Sequence, residues 1–514
     1  MSKNRKPGSN ANLYAVLAEG FARRAPDACA IETIDAAGAP LYYSWSDIDR
    51  ASARLANLLT GLALPDGARV AVQVDKSVES LLLYLACLRA GMVYLPLNSA
   101  YQQAEVDYFV ENAEPSLIVC APRALPWIAE IAKARGVAHV LTLGDDRSGT
   151  LLESAASLSD RFETVARGAD DLAAILYTSG TTGRSKGAML SHGNLASNAR
   201  TLNLYWRWRE GDVLLHALPI FHVHGLFVAS HGALLSGSKM IWLPRFDAAR
   251  VIARMPEATV FMGVPTMYVR LLDDAGFDAE CTRRMRLFIS GSAPLLTDTF
   301  QQFEARTGQR ILERYGMSET VMLTSNPYDG NRVAGTVGLP LPGVQLRIVD
   351  DQQQPVDGDA IGAIQVKGPN VFSGYWRMPE KTREEFTDDG FFKTGDVGRR
   401  DANGYVSIVG RSKDLIISGG YNVYPKEIES YLDEMDGVLE SAVIGVPHRD
   451  FGEAVVAVVV PRPGSRPEEP ALIAALKSRI ASFKVPKRVH VVDELPRNQM
   501  GKVQKNLLRD RFGE

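Results

Sequence analysis

The loop within YTSGTTGRSKGAML, residues 177–190, combines small hydroxyl residues, glycines and a lysine. Glycines let a ligand approach the backbone closely, N–H groups and hydroxyls can surround a polyphosphate, and the lysine adds positive charge. The segment is not a Walker A loop, because no Gly-Lys-Ser/Thr follows its glycines. The residues that we expect at a phosphate are Thr178, Ser179, Gly180, Thr181, Thr182, Gly183 and Lys186.

A buried strand is predicted immediately before this loop, because residues 172–176 are all apolar. Ligands of α/β proteins bind where strands end, so the position favours a phosphate site. A flexible surface turn is the alternative interpretation of the same composition.

Three distant segments carry further polar chemistry. In ERYGMSET, Tyr315 could stack on a base and Glu319 could hold Mg²⁺, which prefers hard oxygen ligands. In FKTGD, Asp396 follows a glycine turn and could accept hydrogen bonds from both hydroxyls of a ribose. In PRNQMGKVQK, Lys502 follows a glycine within a basic tail, which by itself is equally typical of a solvated C-terminus.

Composition narrows the class of protein. A chain of 514 residues is too long for one compact core. The net charge of −3 and the dispersed basic residues give no indication of nucleic-acid binding, and no apolar run approaches the roughly 20 residues that span a membrane. The N-terminus lacks an apolar signal segment, and the four cysteines are widely spaced, so we expect a reduced cytoplasmic protein.

The pattern of elements changes twice along the chain. Helical patterns first alternate with short apolar strands, then short β-rich segments follow, and helices and strands mix again near the C-terminus. We therefore expect an α/β fold, with a large N-terminal domain of α/β subdomains plus a distorted β-barrel, and a small, mobile α+β domain. The predicted divisions are a disordered leader (1–12), the N-terminal domain (13–410), a hinge (411–425) and the C-terminal lid (426–514).

Five motifs in one order, YTSGTTGRSKG, YGMSET, TGD, GRSKDLIISGG and PRNQMGK, resemble the adenylate-forming superfamily. This superfamily includes acyl-CoA synthetases, adenylation domains of peptide synthetases and beetle luciferases. The resemblance covers nearly the whole chain after the leader. It implies that a carboxylate attacks the α-phosphate of Mg²⁺-bound ATP to give an acyl-adenylate and pyrophosphate, and that a thiol, that of CoA, then displaces AMP.

The resemblance also implies roles for single residues. Lys502 would bridge the carboxylate and the α-phosphate, and Lys413 would be the hinge about which the lid rotates. His222 would lie beside the carboxylate, and Thr178 with Glu319 would hold the metal. The implied nucleotide contacts are Ser292, Glu313, Arg314, Tyr315 and Gly316 at the adenine and Asp396 and Arg411 at the ribose, and the implied CoA contacts are Gly419, Gly420 and Tyr421.

The sequence GVPTMYVRLL bears on the identity of the acid. It follows a predicted strand and opens a short helix, with Thr266 as the expected N-cap and Arg270 about one turn inside, near the positive end. An arginine in an acyl pocket is costly unless the substrate brings a second anion, so Arg270 favours a short dicarboxylate. Alternatively, Arg270 faces solvent or a core carboxylate. Arg286 is a rival cation that we interpret as structural.

Together, GVPTMYVR, FHVHGLF and ERYGMSET resemble bacterial malonyl-CoA synthetases. This implies malonate, and also methylmalonate, as the acid, with Arg270 and His222 at its carboxylates. A CoA ligase for another short, medium-chain or aryl acid is the nearest alternative, followed by an adenylation protein that loads a carrier domain. A non-catalytic binding protein would be expected to lack Lys502, Glu319 or the loop hydroxyls. A monomer and a homodimer are both compatible with the sequence.

Overall fold

The structure is a computed structural model that describes residues 10–35, 38–178, 185–356, 358–418, 421–448, 452–480, 482–498 and 501–513. It confirms an α/β fold with a large N-terminal and a small C-terminal domain. Within these ranges, every helix is too short or too polar to cross a lipid bilayer.

The first layer of the large domain is a mainly parallel sheet. Its strands run in the order β6-β5-β3-β4-β7-β8, and all neighbours are parallel except β7 and β8. The elements from the N-terminus to β8, of which β1 and β2 belong to the second sheet, are α1 (Leu13–Phe21), β1 (Cys29–Ile34), β2 (Pro40–Ser44), α2 (Trp45–Gly61), β3 (Arg69–Gln73), α3 (Val78–Arg89), β4 (Val93–Pro96), α4 (Gln103–Ala113), β5 (Leu117–Cys120), α5 (Leu125–Arg135), β6 (His139–Thr142), α6 (Thr150–Ala155), β7 (Leu172–Thr178) and β8 (Lys186–Ser191).

The second layer is a larger mixed sheet in the order β15-β14-β13-β12-β11-β9-β10-β1-β2. Its centre, from β13 to β1, is parallel, and its two ends are antiparallel. The further elements are α7 (His192–Tyr205), β9 (Val213–His216), α8 (His231–Ser236), β10 (Lys239–Trp242), α9 (Ala248–Arg254), β11 (Val260–Gly263), α10 (Pro265–Leu272), β12 (Leu287–Ser290), α11 (Thr297–Thr307), β13 (Ile311–Met317), β14 (Val321–Ser325) and β15 (Leu339–Pro340).

Two smaller sheets complete the chain. An antiparallel sheet in the order β16-β17-β18-β19 ends the large domain, and the small domain is built on a sheet in the order β21-β20-β23-β22 with β24 parallel to β23. Their elements are β16 (Gln345–Val349), β17 (Gly362–Lys367), α12 (Pro379–Glu385), β18 (Phe392–Arg400), β19 (Val406–Arg411), β20 (Ile416–Ser418), β21 (Tyr421–Val423), α13 (Pro425–Asp433), β22 (Val438–His448), β23 (Gly452–Pro461), α14 (Glu469–Lys477), β24 (Arg488–Val491) and α15 (Lys505–Phe512).

The helix α3 lies at the centre of the large domain and is buried along its whole length. It begins with a capping box, in which the Ser77 side chain accepts from the backbone N–H of Ser80 and the Ser80 side chain accepts from that of Ser77. These two hydrogen bonds satisfy backbone N–H groups that have no partner within the first turn of the helix. An apolar run with a well-defined start therefore forms a fully buried helix.

The helix α1 packs unusually close to α8. A Cβ atom added at Gly20 would lie 1.9 Å from the carbonyl oxygen of Leu234 and 2.8 Å from that of Leu235. Only glycine allows this approach of two backbones.

We predict that Gly20→Ala destabilises the protein by about 1–3 kcal/mol, because the backbones of α1 and α8 must separate. The matched control is Gly61→Ala at the end of α2, where an added Cβ has no atom within 4 Å. That variant should be neutral or slightly stabilising. Urea midpoints measured by circular dichroism compare the two; equal midpoints would contradict the packing interpretation.

Candidate active site

The predicted phosphate loop connects β7 to β8. Thr178 is the last residue of β7 and Lys186 the first of β8, and the two are antiparallel partners. Ser179, Gly180, Thr181, Thr182 and Gly183 lie outside the described residues. The loop thus leaves the sheet at the carboxyl end of a buried strand, as the apolar run before it predicts.

Thr178 and Glu319 are brought together although they are 141 positions apart. The Thr178 Oγ1 lies 3.5 Å from the Glu319 Oε1, and the Tyr375 hydroxyl donates to the same carboxylate oxygen at 3.0 Å. Burial raises the pKa of Glu319, whereas this hydrogen bond and the positive charges of Arg411 and Lys186 oppose the rise. The pair presents hard oxygen atoms in a buried position.

Glu319 is reached through a tight turn between β13 and β14. A Cβ atom added at Gly316 would lie 1.8 Å from the carbonyl oxygen of Val321, so the turn requires glycine at this position. Val321 itself has φ 53°, a left-handed conformation that is rare for a β-branched residue. This turn aims Glu319 back toward the end of β7.

Lys186 is buried and already has a carboxylate partner. Its Nζ lies 3.4 Å from the Glu385 Oε1 on α12 and 4.3 Å from the centroid of the Tyr375 ring. The lysine of the loop is therefore held beside Glu319 by protein contacts alone.

Asp396, Arg411 and Tyr315 form one cluster. Asp396 and Arg411 are cross-strand partners on β18 and β19, and the Arg411 Nε lies 2.9 Å from the Asp396 Oδ1. The Tyr315 hydroxyl donates to the other oxygen, Oδ2, at 2.5 Å. The structure thus joins the predicted ribose contacts to a predicted base contact.

Glu313 and Ser292 lie at the ends of neighbouring parallel strands. The Glu313 Oε1 accepts from the backbone N–H of Leu295 at 3.2 Å, whereas Oε2 has no partner among the described residues. Burial raises the pKa of Glu313 to about 8. Ser292 has φ 72°, and its hydroxyl lies 3.3 Å from the His224 Nδ1.

Arg314 is buried and His222 is half-buried, and both have polar atoms without a hydrogen-bond partner among the described residues. Burial and the charge of Arg314 lower the pKa of His222 to about 4, so its imidazole is neutral at pH 7. In the described part of the chain, the His222 Nδ1 and the Arg314 Nε and Nη2 have no partners. Arg314 is only 3% exposed and packs against Gly291. A buried guanidinium with free donors is a ready receptor for an anion.

The helix α10 differs in detail from its prediction. Its N-cap is Val264, which makes no side-chain cap, and Pro265 is the first helical residue, so the expectation of Thr266 as the N-cap is wrong. Proline fits the first position because it needs no N–H donor there. Arg270 lies in the last turn, at the negative end of this eight-residue helix, and not near the positive end.

Arg270 lines a cavity of about 700 Å³. Thr266 and Met267 of the same helix and Phe221 of the FHVHGLF segment also line it. Arg270 is exposed, as one alternative expected, and it belongs to no ion pair or hydrogen bond within the described residues. The rival cation, Arg286, instead forms a bidentate ion pair with the buried carboxylate of Asp212, which supports its structural interpretation.

The small domain closes the cavity with the loop that carries Lys502. Arg497, Asn498 and Gly501 line the cavity, and a Cβ added at Gly501 would lie 3.0 Å from the Thr266 Oγ1. The Lys502 backbone N–H donates to the Asn498 Oδ1 at 3.0 Å, which holds the turn. The loop that carries Lys502 therefore meets the helix of Arg270 at Gly501, the residue before Lys502.

Lys413 and Tyr421 lie between β19 and α13. Lys413 is in a short 3₁₀ turn, Ser412–Asp414, but its side chain is outside the described part, as are Gly419, Gly420 and the side chain of Tyr421. Sequence interpretation missed Tyr375, the hydrogen-bond donor to Glu319. Its neighbourhood, SGYWRMP, has no charge or spacing that would identify it.

Comparison with known proteins now decides the family. Residues 18–376 match the AMP-binding enzyme model, and residues 427–502 match the AMP-binding enzyme C-terminal domain. The chain belongs to the AMP-binding enzyme family. This family is the one that the five motifs indicate, and the match covers well over half of the chain.

Three known proteins are similar to this chain over most of its length. The crystal structure of ATP-bound MatB from Rhodopseudomonas palustris is 57% identical over 98% of this chain and 99% of that one, with a TM-score of 0.94. A malonate–CoA ligase of Arabidopsis thaliana is 38% identical over 86% of this chain and 78% of its own. A feruloyl-CoA synthase of Amycolatopsis is 35% identical over 96% of this chain and 97% of its own.

The raised pKa of Glu313 predicts a pH-dependent stability. The folded protein keeps this proton up to about pH 8, whereas the unfolded chain loses it near the ordinary value of 4.5. The folded state therefore binds more protons in this window, and its stability falls as pH rises from about 4.5 to 8. The Glu313→Gln variant has no carboxyl proton, so its stability should not fall in this way as pH rises. Its side-chain oxygen can still accept from the backbone N–H of Leu295.

We expect the melting temperature of Glu313→Gln, relative to wild type, to increase steadily between pH 5 and pH 8. Differential scanning calorimetry of the ligand-free protein measures it. The control, Glu280→Gln, changes an exposed carboxylate and should follow wild type at every pH. A Glu313→Gln curve parallel to wild type would show that Glu313 is ionised in the folded protein.

Proposed function

We propose that the chain is an ATP-dependent malonate–CoA ligase that also accepts methylmalonate and releases AMP and pyrophosphate. The observation that carries the proposal is Arg270, a cation without a protein carboxylate in the wall of the cavity that the Lys502 loop closes. The similarity of the chain to a malonate–CoA ligase of Arabidopsis thaliana supports the same substrate.

A second anion on the acid explains the charges of the site. Arg270 is exposed in the wall of the cavity, where a ligand can reach it, and a bound carboxylate would pair with its charge. Arg270 suits the distal carboxylate, because guanidinium and carboxylate form paired hydrogen bonds. Arg314, buried beside His222, is a second receptor for an anionic group of the reacting acid, a role that differs from the adenine contact expected from sequence.

In the first half-reaction, an oxygen of the reacting carboxylate attacks the α-phosphorus of ATP, and the bond to the bridging oxygen of pyrophosphate breaks. Thr178 and Glu319 would hold Mg²⁺, which prefers few protein oxygens together with phosphate oxygens. When bound, Mg²⁺ would offset the negative charge of the phosphates.

Protein groups position the nucleotide and supply further charge. Asp396, oriented by Arg411 and Tyr315, would accept from the ribose hydroxyls. Lys186 would exchange its contact with Glu385 for the polyphosphate. Lys502, carried by the loop that rests against Thr266, would bridge the carboxylate and the α-phosphate, so that charge developing at phosphorus is stabilised.

In the second half-reaction, the sulfur of CoA attacks the acyl carbon of the adenylate. The bond to the phosphate oxygen breaks, AMP leaves, and the thiol proton passes to solvent. Lys502 has no further role at this stage. Rotation of the small domain about Lys413 would therefore withdraw it and bring Gly419, Gly420 and Tyr421 to the thiol.

An acid panel tests the proposal and its alternative, an aryl acid like that named for the feruloyl-CoA synthase. CoA-dependent AMP formation is measured with malonate, methylmalonate, succinate, acetate and ferulate. We expect turnover of the first two only. Faster turnover of ferulate or acetate than of malonate would contradict the proposed substrate.

We predict that Arg270→Ala lowers kcat/KM for malonate by about 30- to 1000-fold, which corresponds to the loss of one charge-assisted contact of roughly 2–4 kcal/mol. Malonate-dependent release of pyrophosphate is the measurement. Arg250→Ala, in the neighbouring helix α9, removes an exposed arginine and is the matched control. Equal kcat/KM in wild type and Arg270→Ala would refute the role of Arg270.

A further inference from the structure

Lys76 is a half-buried lysine that no step above uses. It follows β3 of the first sheet, and its side chain crosses to the second sheet. Its Nζ lies 2.9 Å from the carbonyl oxygen of His216, 2.7 Å from that of Leu243 and 3.0 Å from the His216 Nδ1. The ammonium group therefore has an acceptor for each of its three protons.

The surroundings of Lys76 contain acceptors but no counter-charge. The Nζ also lies 4.4 Å from the centroid of the Trp242 ring, and no described carboxylate is within ion-pair distance of it. Burial lowers the pKa of Lys76 well below its ordinary value. The contacts with two carbonyl oxygens and the indole face are of the kind that stabilises an ammonium group. An anion nearby would favour the charged form further.

Lys76 lines the same cavity as Arg270. The charged residues of that lining are Asp75, Lys76, Asp145, Arg245, Arg270 and Arg497. Asp75 is paired with Arg123, and Arg497 is paired with Glu440. The charged residues of the lining that remain are Lys76, Arg245, Arg270 and Asp145. The cavity therefore has more positive than negative charge.

We propose that Lys76 is a specificity-determining residue that favours acids with a second negative charge. Its protons stay with the protein, so it acts through space and not by direct hydrogen bonding. Water screens charge weakly in such a recess, and a fixed cation there attracts an anion over several ångströms. The inference rests on the proposed function, because it requires the acid to occupy this cavity.

A purely structural role is the competing explanation, since Lys76 ties the carboxyl ends of β9 and β10 to β3. The two roles differ in what they predict for matched acids. Malonate and monomethyl malonate have the same carbon chain and differ in the distal negative charge. A structural defect lowers kcat/KM for both, whereas loss of the charge lowers it for malonate alone.

The test measures kcat/KM for both acids with wild type, Lys76→Met, Lys76→Gln and Lys76→Arg, by release of pyrophosphate. Lys76→Met removes the charge and the donors, Lys76→Gln keeps two N–H donors without charge, and Lys76→Arg keeps the charge. Lys239→Met is the matched control, because Lys239 is paired with Glu32 outside the cavity.

We expect the ratio of kcat/KM for malonate to that for monomethyl malonate to fall at least about tenfold in Lys76→Met and Lys76→Gln. The ratio should remain near the wild-type value in Lys76→Arg and in Lys239→Met. An equal loss for both acids, or an unchanged ratio in both neutral variants, would overturn the proposal. If Lys76→Met does not fold, Lys76→Gln decides between these outcomes.

Arg270→Ala, measured in the same assay, separates this proposal from the proposed function. If the ratio falls in Arg270→Ala but not in the Lys76 variants, only the role of Lys76 is refuted. If it falls in neither, the acid does not lie in this cavity, and the assignment of Arg270 fails as well.

Discussion

Cations that have no carboxylate partner attract an anionic ligand, and the described part of this chain gathers three of them in one region. Arg314 is buried with free donors, Arg270 lines the cavity without a carboxylate, and Lys76 has acceptors but no counter-ion. A folded protein retains such groups when a ligand supplies the missing charge. The need to bring an anionic acid to an anionic polyphosphate accounts for this arrangement.

The nucleotide side of the site is arranged differently. Asp396 is already held by Arg411 and Tyr315, Glu319 by Tyr375, and Lys186 by Glu385. These contacts orient the groups proposed for the nucleotide, although Lys186 would have to leave Glu385 to reach a phosphate. The groups proposed for the nucleotide thus have protein partners, whereas the cations proposed for the acid have no carboxylate partner among the described residues.

Both sides depend on the meeting of two sheets. The phosphate loop follows β7 of one sheet, whereas Glu313 and Tyr315 lie at the end of β13 in the other. The turn at Gly316 then reverses the chain and returns Glu319 to Thr178. The small domain adds the loop before Lys502, where Gly501 lies against Thr266.

The sequence by itself determined the α/β fold class and the family, because local composition and motif order carry that information, and it predicted the phosphate loop and the role of Arg270. Only the tertiary structure decided which charges are compensated. Arg286 and Arg270 are both arginines beside buried strands, yet one meets Asp212 and the other meets no carboxylate. Likewise, the hydrogen bond from Tyr375 to Glu319 and the crossing of Lys76 to His216 join distant positions. A contact between distant residues depends on how sheets pack, and no local pattern records it.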